Sequence, residues 1–218
     1  RGRRAQEPTA PEKAGYTFAG WYNGDTAWTF GTDTVTADIT LTAKWTRKTV
    51  TSSEGLVFTS NGDGTCTVTR FNNSTVTDLI IPETSPDGER VTAIGDGALA
   101  WNKKLSSVLI PSGVKSIGAR AFMSNERLSS VLIPNGVESI GTESFYDCSG
   151  LTNITIPNSV VSIGERAFFG CSELTSIVLP NNLTNISRGT FVSCFKLTSV
   201  TLPDNLISIG EYAFNYCV

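Results

Sequence analysis

The sequence predicts a repeat solenoid, a stack of short similar units with an N-terminal β-hairpin cap and a small β-rich segment ahead of it. Three observations carry this reading. From Val91 the chain repeats every 23 residues without insertion, as units 91–113, 114–136, 137–159, 160–182 and 183–205 and a partial sixth at 206–218. Fixed apolar columns run through the units: Ile94, Ile117, Ile140, Ile163, Ile186 and Ile209; Leu99, Phe122, Phe145, Phe168, Phe191 and Phe214; Leu105, Leu128, Leu151, Leu174 and Leu197. Pro111, Pro134, Pro157, Pro180 and Pro203 close the apolar stretch of each unit. A period of this length marks units that cannot bury an apolar stripe alone and do so by stacking on neighbours.

Within one unit the elements follow in order. Ile154 and Ile156 alternate in a Thr/Ile-rich run, which predicts a short strand with one face buried. Pro157 ends it, having no N–H for the ladder. A second extended piece, Val160 to Ile163, stops at Gly164, where the chain can turn cheaply. Ala167, Phe168 and Cys171 then stand at helical offsets, which predicts one tight helical turn over 165–171. The Leu99/Phe122/Phe145/Phe168/Phe191/Phe214 column is the expected structural spine, each ring burying on the order of 150–250 Å².

Ahead of the repeats, residues 55–71 read as a hairpin. Leu56 and Phe58 alternate on one arm, Cys66, Val68 and Arg70 on the other, and Asn61-Gly-Asp-Gly64 supplies the turn. That loop has calcium-loop residues but lacks the later bidentate glutamate, so a plain turn is the reading. Leu79-Ile-Ile-Pro82 matches a repeat's strand ending, and the insertion 84–89 delays the first full unit. A solenoid needs its open end covered, so residues 48–90 are expected to be the N-terminal cap and 91–218 the repeats. Residues 1–47 differ in character: Tyr16, Phe18, Trp21, Tyr22, Trp28, Phe30 and Trp45 suggest short aromatic-rich strands. These aromatics are read as the core of a small module, with a sugar-stacking platform as the alternative.

Cys148, Cys171, Cys194 and Cys217 share one column, which Asn102 and Asn125 continue. Zinc needs sulfurs converging on one ion at about 2.3 Å, whereas rungs about 4.8 Å apart would set them in a line. Neighbouring rungs fall inside the Cα window for disulfides. Parallel Cβ vectors and the asparagines in the same column favour buried free thiols instead. Cys66 has no evident partner.

Composition narrows the function. Of 218 residues 39% are hydrophobic and 17% charged, with a net charge of −3 and no histidine. Residues 1–48 carry seven Lys/Arg and five Asp/Glu, net +2, and the remainder ten and fifteen, net −5. This is not a basic nucleic-acid binder, and no window approaches the ~18 apolar residues of a membrane span. Arg1, Arg3 and Arg4 read as a solvated terminus. Without histidine, a Gly-x-Ser-x-Gly elbow or a phosphate loop, catalysis would need a carboxylate pair. Glu138, Glu143, Glu165, Glu173 and Glu211 are scattered over surface positions, so no catalytic site and no cofactor or metal is expected. The chain begins with Arg and shows no signal peptide, which suggests a piece of a longer protein.

The string Val160-Val-Ser-Ile-Gly-Glu-Arg-Ala-Phe-Phe-Gly-Cys-Ser-Glu-Leu-Thr-Ser-Ile-Val-Leu-Pro180 resembles BspA-like leucine-rich repeats, and the resemblance covers residues 77–218. It departs from that pattern at Asn102 and Asn125, in place of cysteine, and at Ser187, in place of glycine. Residues 7–46 resemble the latter part of a Listeria–Bacteroides repeat, the B-repeat module of internalin B-type surface proteins. The first resemblance implies a right-handed superhelix of leucine-rich repeats. Together they imply an extracellular or cell-surface bacterial protein, adhesive or spacer in role, without enzymatic activity. Some BspA-like proteins bind host extracellular-matrix proteins, so the implied partner is a protein of that kind, with a glycan or no ligand at all as alternatives. No Leu-Pro-x-Thr-Gly anchor is present, and the last unit stops before its own strand. Further repeats or self-association at that end are therefore expected.

The candidate protein-binding face consists of the residues alternating with the core on the main strands. One column is Ser107, Ser130, Asn153, Ser176 and Ser199; the other is Leu109, Leu132, Thr155, Val178 and Thr201. A second polar ladder is Ser116, Ser139, Ser162, Asn185 and Ser208. Leu109, Leu132 and Val178 are read either as an apolar contact strip or, with the Ser/Thr columns, simply as residues that suit a flat ladder. Trp101, Tyr146, Phe169, Phe195 and Tyr216 line the edge formed by the turns. A glycan would use these or Trp21, Trp28 and Trp45.

Overall fold

The chain, seen here in a computed structural model that describes residues 5–11, 16–47 and 55–217, divides into two compact units, Arg1–Val50 and Thr51–Val218. Arg1, Arg3 and Arg4 lie outside the described residues.

In the first unit the aromatic-rich segments form β1 (Tyr16–Asn23), β2 (Thr26–Ala27) and β3 (Leu41–Arg47), an antiparallel sheet in the order β2-β1-β3. A register shift between Phe18 and Gly20 bends β1 where the glycine takes φ 122°. Phe18 meets Trp21 and Trp45 edge-on, at centroid distances of 5.6 and 5.5 Å. These rings pack on one another and remain half-buried.

The second unit begins with the hairpin β4 (Leu56–Ser60) and β5 (Thr65–Phe71). Its turn is closed by Asp63, whose carboxylate accepts from the Thr65 hydroxyl at 2.6 Å and N–H at 3.0 Å; these bonds hold the Asp63 carboxyl below its usual value. Then come β6 (Asp78–Ile80), β7 (Arg90–Ile94), β8 (Ser107–Leu109), β9 (Ser116–Ile117), β10 (Ser130–Leu132), β11 (Ser139–Ile140), β12 (Ser162–Ile163), β13 (Ser176–Val178), β14 (Asn185–Ile186), β15 (Ser199–Thr201) and β16 (Ser208–Ile209). The pairings of β5 with β7 and of β6 with β8 are parallel, and from β7 onward the strands pair parallel in 23-residue register, Ser130 opposite Ser107 and Ile140 opposite Ile117. This unit is thus a β-solenoid of about six turns, each with a main-strand side, a second-strand side and a turn side. The hairpin forms the end of the sheet β12-β11-β9-β7-β5-β4.

The expected helical turn is not what forms: there is no helix among the described residues. The segment is a run of overlapping turns closed by i→i−3 bonds, such as Ala167 N–H to Gly164 and Phe169 N–H to Arg166. Two positions in every rung have positive φ: Gly97, Arg120, Glu143, Arg166, Gly189 and Tyr212, then Trp101, Ser124, Asp147, Gly170, Ser193 and Tyr216. A left-handed residue four places after another cannot continue an α-helix. It turns alternate N–H groups outward along the stack instead. Phe145 N–H bonds to the Ala167 carbonyl at 2.8 Å and Phe168 N–H to Thr190 at 2.9 Å. The helical spacing of Ala167, Phe168 and Cys171 fits this arrangement equally well.

Leu99, Phe122, Phe145, Phe168 and Phe191 are fully buried, and Phe214, on the last rung, is half-buried. The rings lie nearly parallel, Phe122 to Phe145 at 4.9 Å, then 5.3, 5.5 and 5.3 Å to Phe214. Rung spacing is kept by the Ile-Gly glycines: a Cβ on Gly141 would stand 2.6 Å from the Ala119 nitrogen. Gly118, Gly141, Gly164 and Gly210 each bond N–H to the isoleucine carbonyl one rung back, at 2.8 Å. At Ser187 the bond to Ile163 comes from the side-chain hydroxyl, at 2.6 Å. Here the second-strand ladder breaks, β14 and β16 pairing apart from the six-stranded sheet.

Candidate recognition surface

On the main-strand side the inward residues Val108, Val131, Ile154 and Ile177 are buried, so their neighbours point outward. Asn153, Thr155, Ser176, Ser199 and Thr201 are exposed, and Ser107 and Ser130 are partly covered. Leu132 is 40% and Val178 63% exposed, whereas Leu109 is 6% exposed. The strip therefore does not include Leu109, contrary to the sequence reading. Ile80 and Leu132 flank Leu109 in register on both sides, and the aliphatic row closes over it. The face is also discontinuous: only a single bridge, Leu132 to Thr155, carries the ladder onward from β10. On the second-strand side Ser116, Ser139 and Ser162 pair in register, as do Asn185 and Ser208.

The thiol column lies inside. Cys148, Cys171 and Cys194 are buried and Cys217 partly so, all as free thiols. Each sulfhydryl meets a spine carbonyl of the rung before, Phe122, Phe145, Phe168 and Phe191 in turn, at 3.1–3.3 Å. Asn125 holds the same place, donating to the Leu99 and Phe122 carbonyls at 2.9 and 2.7 Å. That shared role explains why asparagine and cysteine alternate in one column. Burial pushes the Cys148 and Cys194 thiols up to about 12 and Cys171 well above its ordinary value. These are inert groups. Cys66, also buried, reaches the Glu89 carbonyl at 3.5 Å.

On the turn and second-strand sides, charges pair from rung to rung. Glu143 takes Arg120 at 2.7 Å and Arg166 at 3.6 Å, while Lys115–Glu138, Lys196–Glu173 and Arg188–Glu211 form similar pairs. Of the five scattered glutamates, four are thus engaged in spanning rungs. Among the described residues no group of three His, Cys, Asp or Glu could hold a metal, and no helix is long and apolar enough to cross a membrane. Trp101, Phe195 and Tyr216 are exposed, and Tyr146 stacks on Phe169 at 4.6 Å. Beyond Phe169 the aromatic column gives way to Val192, and a cavity of about 260 Å³ opens. It is lined by Gly189 and Val192, the aromatic rings of Phe169 and Tyr212, and the polar side chains of Arg166, Arg188 and Asn215. The positions that mark it, Val192 after Tyr146 and Phe169 and Gly189 after Glu143 and Arg166, are visible in the sequence only as local changes within their columns.

Comparison with known proteins fits this geometry. The BspA type leucine rich repeat region matches residues 92–218 in six copies, and the Listeria-Bacteroides repeat domain matches residues 1–44. A leucine rich cell surface protein of Faecalibacterium prausnitzii is 34% identical with a TM-score of 0.69, over 75% of this chain and 45% of that one. The T. pallidum leucine rich repeat protein is 25% identical with a TM-score of 0.61, over 73% and 85%. Internalin H of Listeria monocytogenes is 52% identical over 52 residues, 22% of this chain and 10% of its own length. A putative membrane protein of Evansella cellulosilytica is 40% identical over 82 residues, 36% of this chain and 12% of that protein. The chain thus spans a small fraction of the curated relatives it matches. It belongs to the BspA-type leucine-rich repeat family, with a Listeria–Bacteroides repeat ahead of the solenoid.

Proposed function

We propose that this chain is a non-enzymatic recognition module of a bacterial cell-surface protein, binding a protein ligand, of which host matrix proteins are one class, across its main-strand side. The observation that carries this is the exposed row Leu132, Thr155, Val178 and Thr201 beside the Ser/Asn column, two of the four being large apolar side chains open to solvent. Solenoids bind through extended faces of this kind, and the fold spends nothing of its core on them. The resemblance to a bacterial leucine rich cell surface protein and to an internalin supports the surface setting. A passive stalk is the competing reading.

The test is binding of the purified chain to a panel of matrix proteins at near-physiological salt, with Leu132→Asp/Val178→Asp alongside. Saturable binding lost in the variant, with its circular dichroism unchanged, is the expected result. Binding that survives the substitution moves the site off this side, and no binding to any panel member favours the stalk.

A further inference from the structure

We propose that the turn-side cavity between Phe169 and Tyr212 is a binding subsite for a single sugar ring carrying a carboxylate, such as a sialic or uronic acid. This goes beyond the strand-side reading and stands whether or not that side binds protein. The cavity exists because two columns lapse together. Tyr146 and Phe169 stack at 4.6 Å, and the next member is Val192, too small to continue the stack. Beside it, the column of Arg120, Glu143 and Arg166 reaches Gly189, which has no side chain, before Tyr212 resumes it. The result is a slot lined by Phe169, whose ring is stacked on Tyr146, and by Tyr212.

Size and chemistry then select the ligand. At about 260 Å³ the slot is below the roughly 300–1,000 Å³ of ordinary ligand pockets, so it takes one ring rather than an extended molecule. The aromatic lining residues suit the apolar face of a sugar, and the polar ones offer donors: Arg166, Arg188 and the Asn215 amide. Arg166 is the weaker partner of a carboxylate, Glu143, that already holds Arg120 at 2.7 Å, so two guanidinium groups share one anion. Arg188, 3.6 Å from the well-exposed Glu211, lies over the Tyr212 ring at 5.8 Å. Glu165, exposed beside Arg166 and one place before Arg188 in its column, balances the local charge, so the preference for a carboxylate rests on geometry: either guanidinium can grip one bidentately. An extended peptide is disfavoured because the local backbone is spent. Arg166, Phe168, Gly170, Gly189 and Phe191 all give their N–H to the next rung, at 2.8–3.0 Å, leaving no edge for β-pairing.

The experiment is a titration of the ¹⁵N-labelled chain with sialyllactose, glucuronic acid, lactose and a Glu-Tyr-Glu tripeptide at near-physiological salt, followed at the Gly189 and Val192 amides. Saturable shifts with both acidic sugars, on the order of millimolar as for a single small ring, and at least tenfold weaker binding of lactose are expected. Arg188→Gln should weaken acidic sugars at least tenfold. Val192→Tyr, which completes the column in the manner of Tyr146, should abolish binding. Gly189→Asn, compatible with positive φ, fills the slot independently should the first variant fail to fold. Equal binding of lactose, tighter binding of the tripeptide, binding that survives a folded slot-filling variant, or no shifts at all would each overturn the proposal.

Discussion

The turn side and the strand sides of the same rungs are built to different standards. On the turn side, hydrogen bonds run without interruption from Gly97–Ala119 to Ser193–Asn215, and the phenylalanine stack runs beneath them. On the strand sides, β8 to β16 are only two or three residues long, and the sheets break beyond β10 on one side and β12 on the other. A ladder two residues long has few bonds to lose and one inward side chain per rung. The turn side brings a ring, a small residue and a thiol or amide inward from each rung. The difference teaches that continuity of the stack resides in the turns, and that the strand sides are free to vary their outward residues.

The largest expected effect follows directly. Phe168→Ala removes a ring stacked at 5.3 Å on Phe145 and 5.5 Å on Phe191, and should cost about 3–5 kcal/mol. Val178→Thr, on the exposed strand side, should stay within about 0.5 kcal/mol. Urea unfolding of both variants compares the two sides, and similar losses would contradict the division. The next effect is pH. Because folding raises the thiol values from an ordinary 9.0 to about 12 at Cys148 and Cys194, their contribution is intact below pH 9 and is lost as pH rises toward 12. The chain should therefore unfold cooperatively within that window. Cys148→Asn, which copies Asn125, should move the transition to higher pH; an unmoved midpoint would mean that another group drives alkaline unfolding.

The sequence made the spine, the rung boundaries and the thiol column legible because each repeats a residue type at a fixed period and each faces the core, where type is constrained. The left-handed turns were hidden for the opposite reason. Arg120, Glu143, Arg166 and Tyr212 carry positive φ without the glycine that ordinarily announces it. Inter-rung N–H bonds hold Arg120, Glu143 and Arg166 there, and no local residue preference reports a bond made 22 positions away. Leu109 was misplaced because burial at the first full rung depends on Ile80, a neighbour in space that the insertion at 84–89 separates from the repeat register. The slot at Gly189 is not legible in the sequence because both of its defining residues look like ordinary variation within their own columns.

The smallest effect in free energy tests the origin of the strand-side break. Ser187 occupies the column in which Gly141 and Gly164 approach the preceding backbone, and its hydroxyl takes over the bond to the Ile163 carbonyl. Ser187→Gly should let the N–H make that bond, as Gly164 does to Ile140 at 2.8 Å. The exchange of one hydrogen bond for another, set against glycine's greater freedom when unfolded, leaves stability within about 1 kcal/mol. The informative readout is amide exchange, which should slow at residues 186–188 as β12 and β14 join. Gly141→Ala is the reverse operation: a methyl group 2.6 Å from the Ala119 nitrogen must part β9 from β11, at about 1–3 kcal/mol, and speed exchange at 140–142. If Ser187→Gly leaves exchange unchanged while Gly141→Ala behaves as described, a side chain in this column suffices to open the ladder, and something besides the serine keeps this one open.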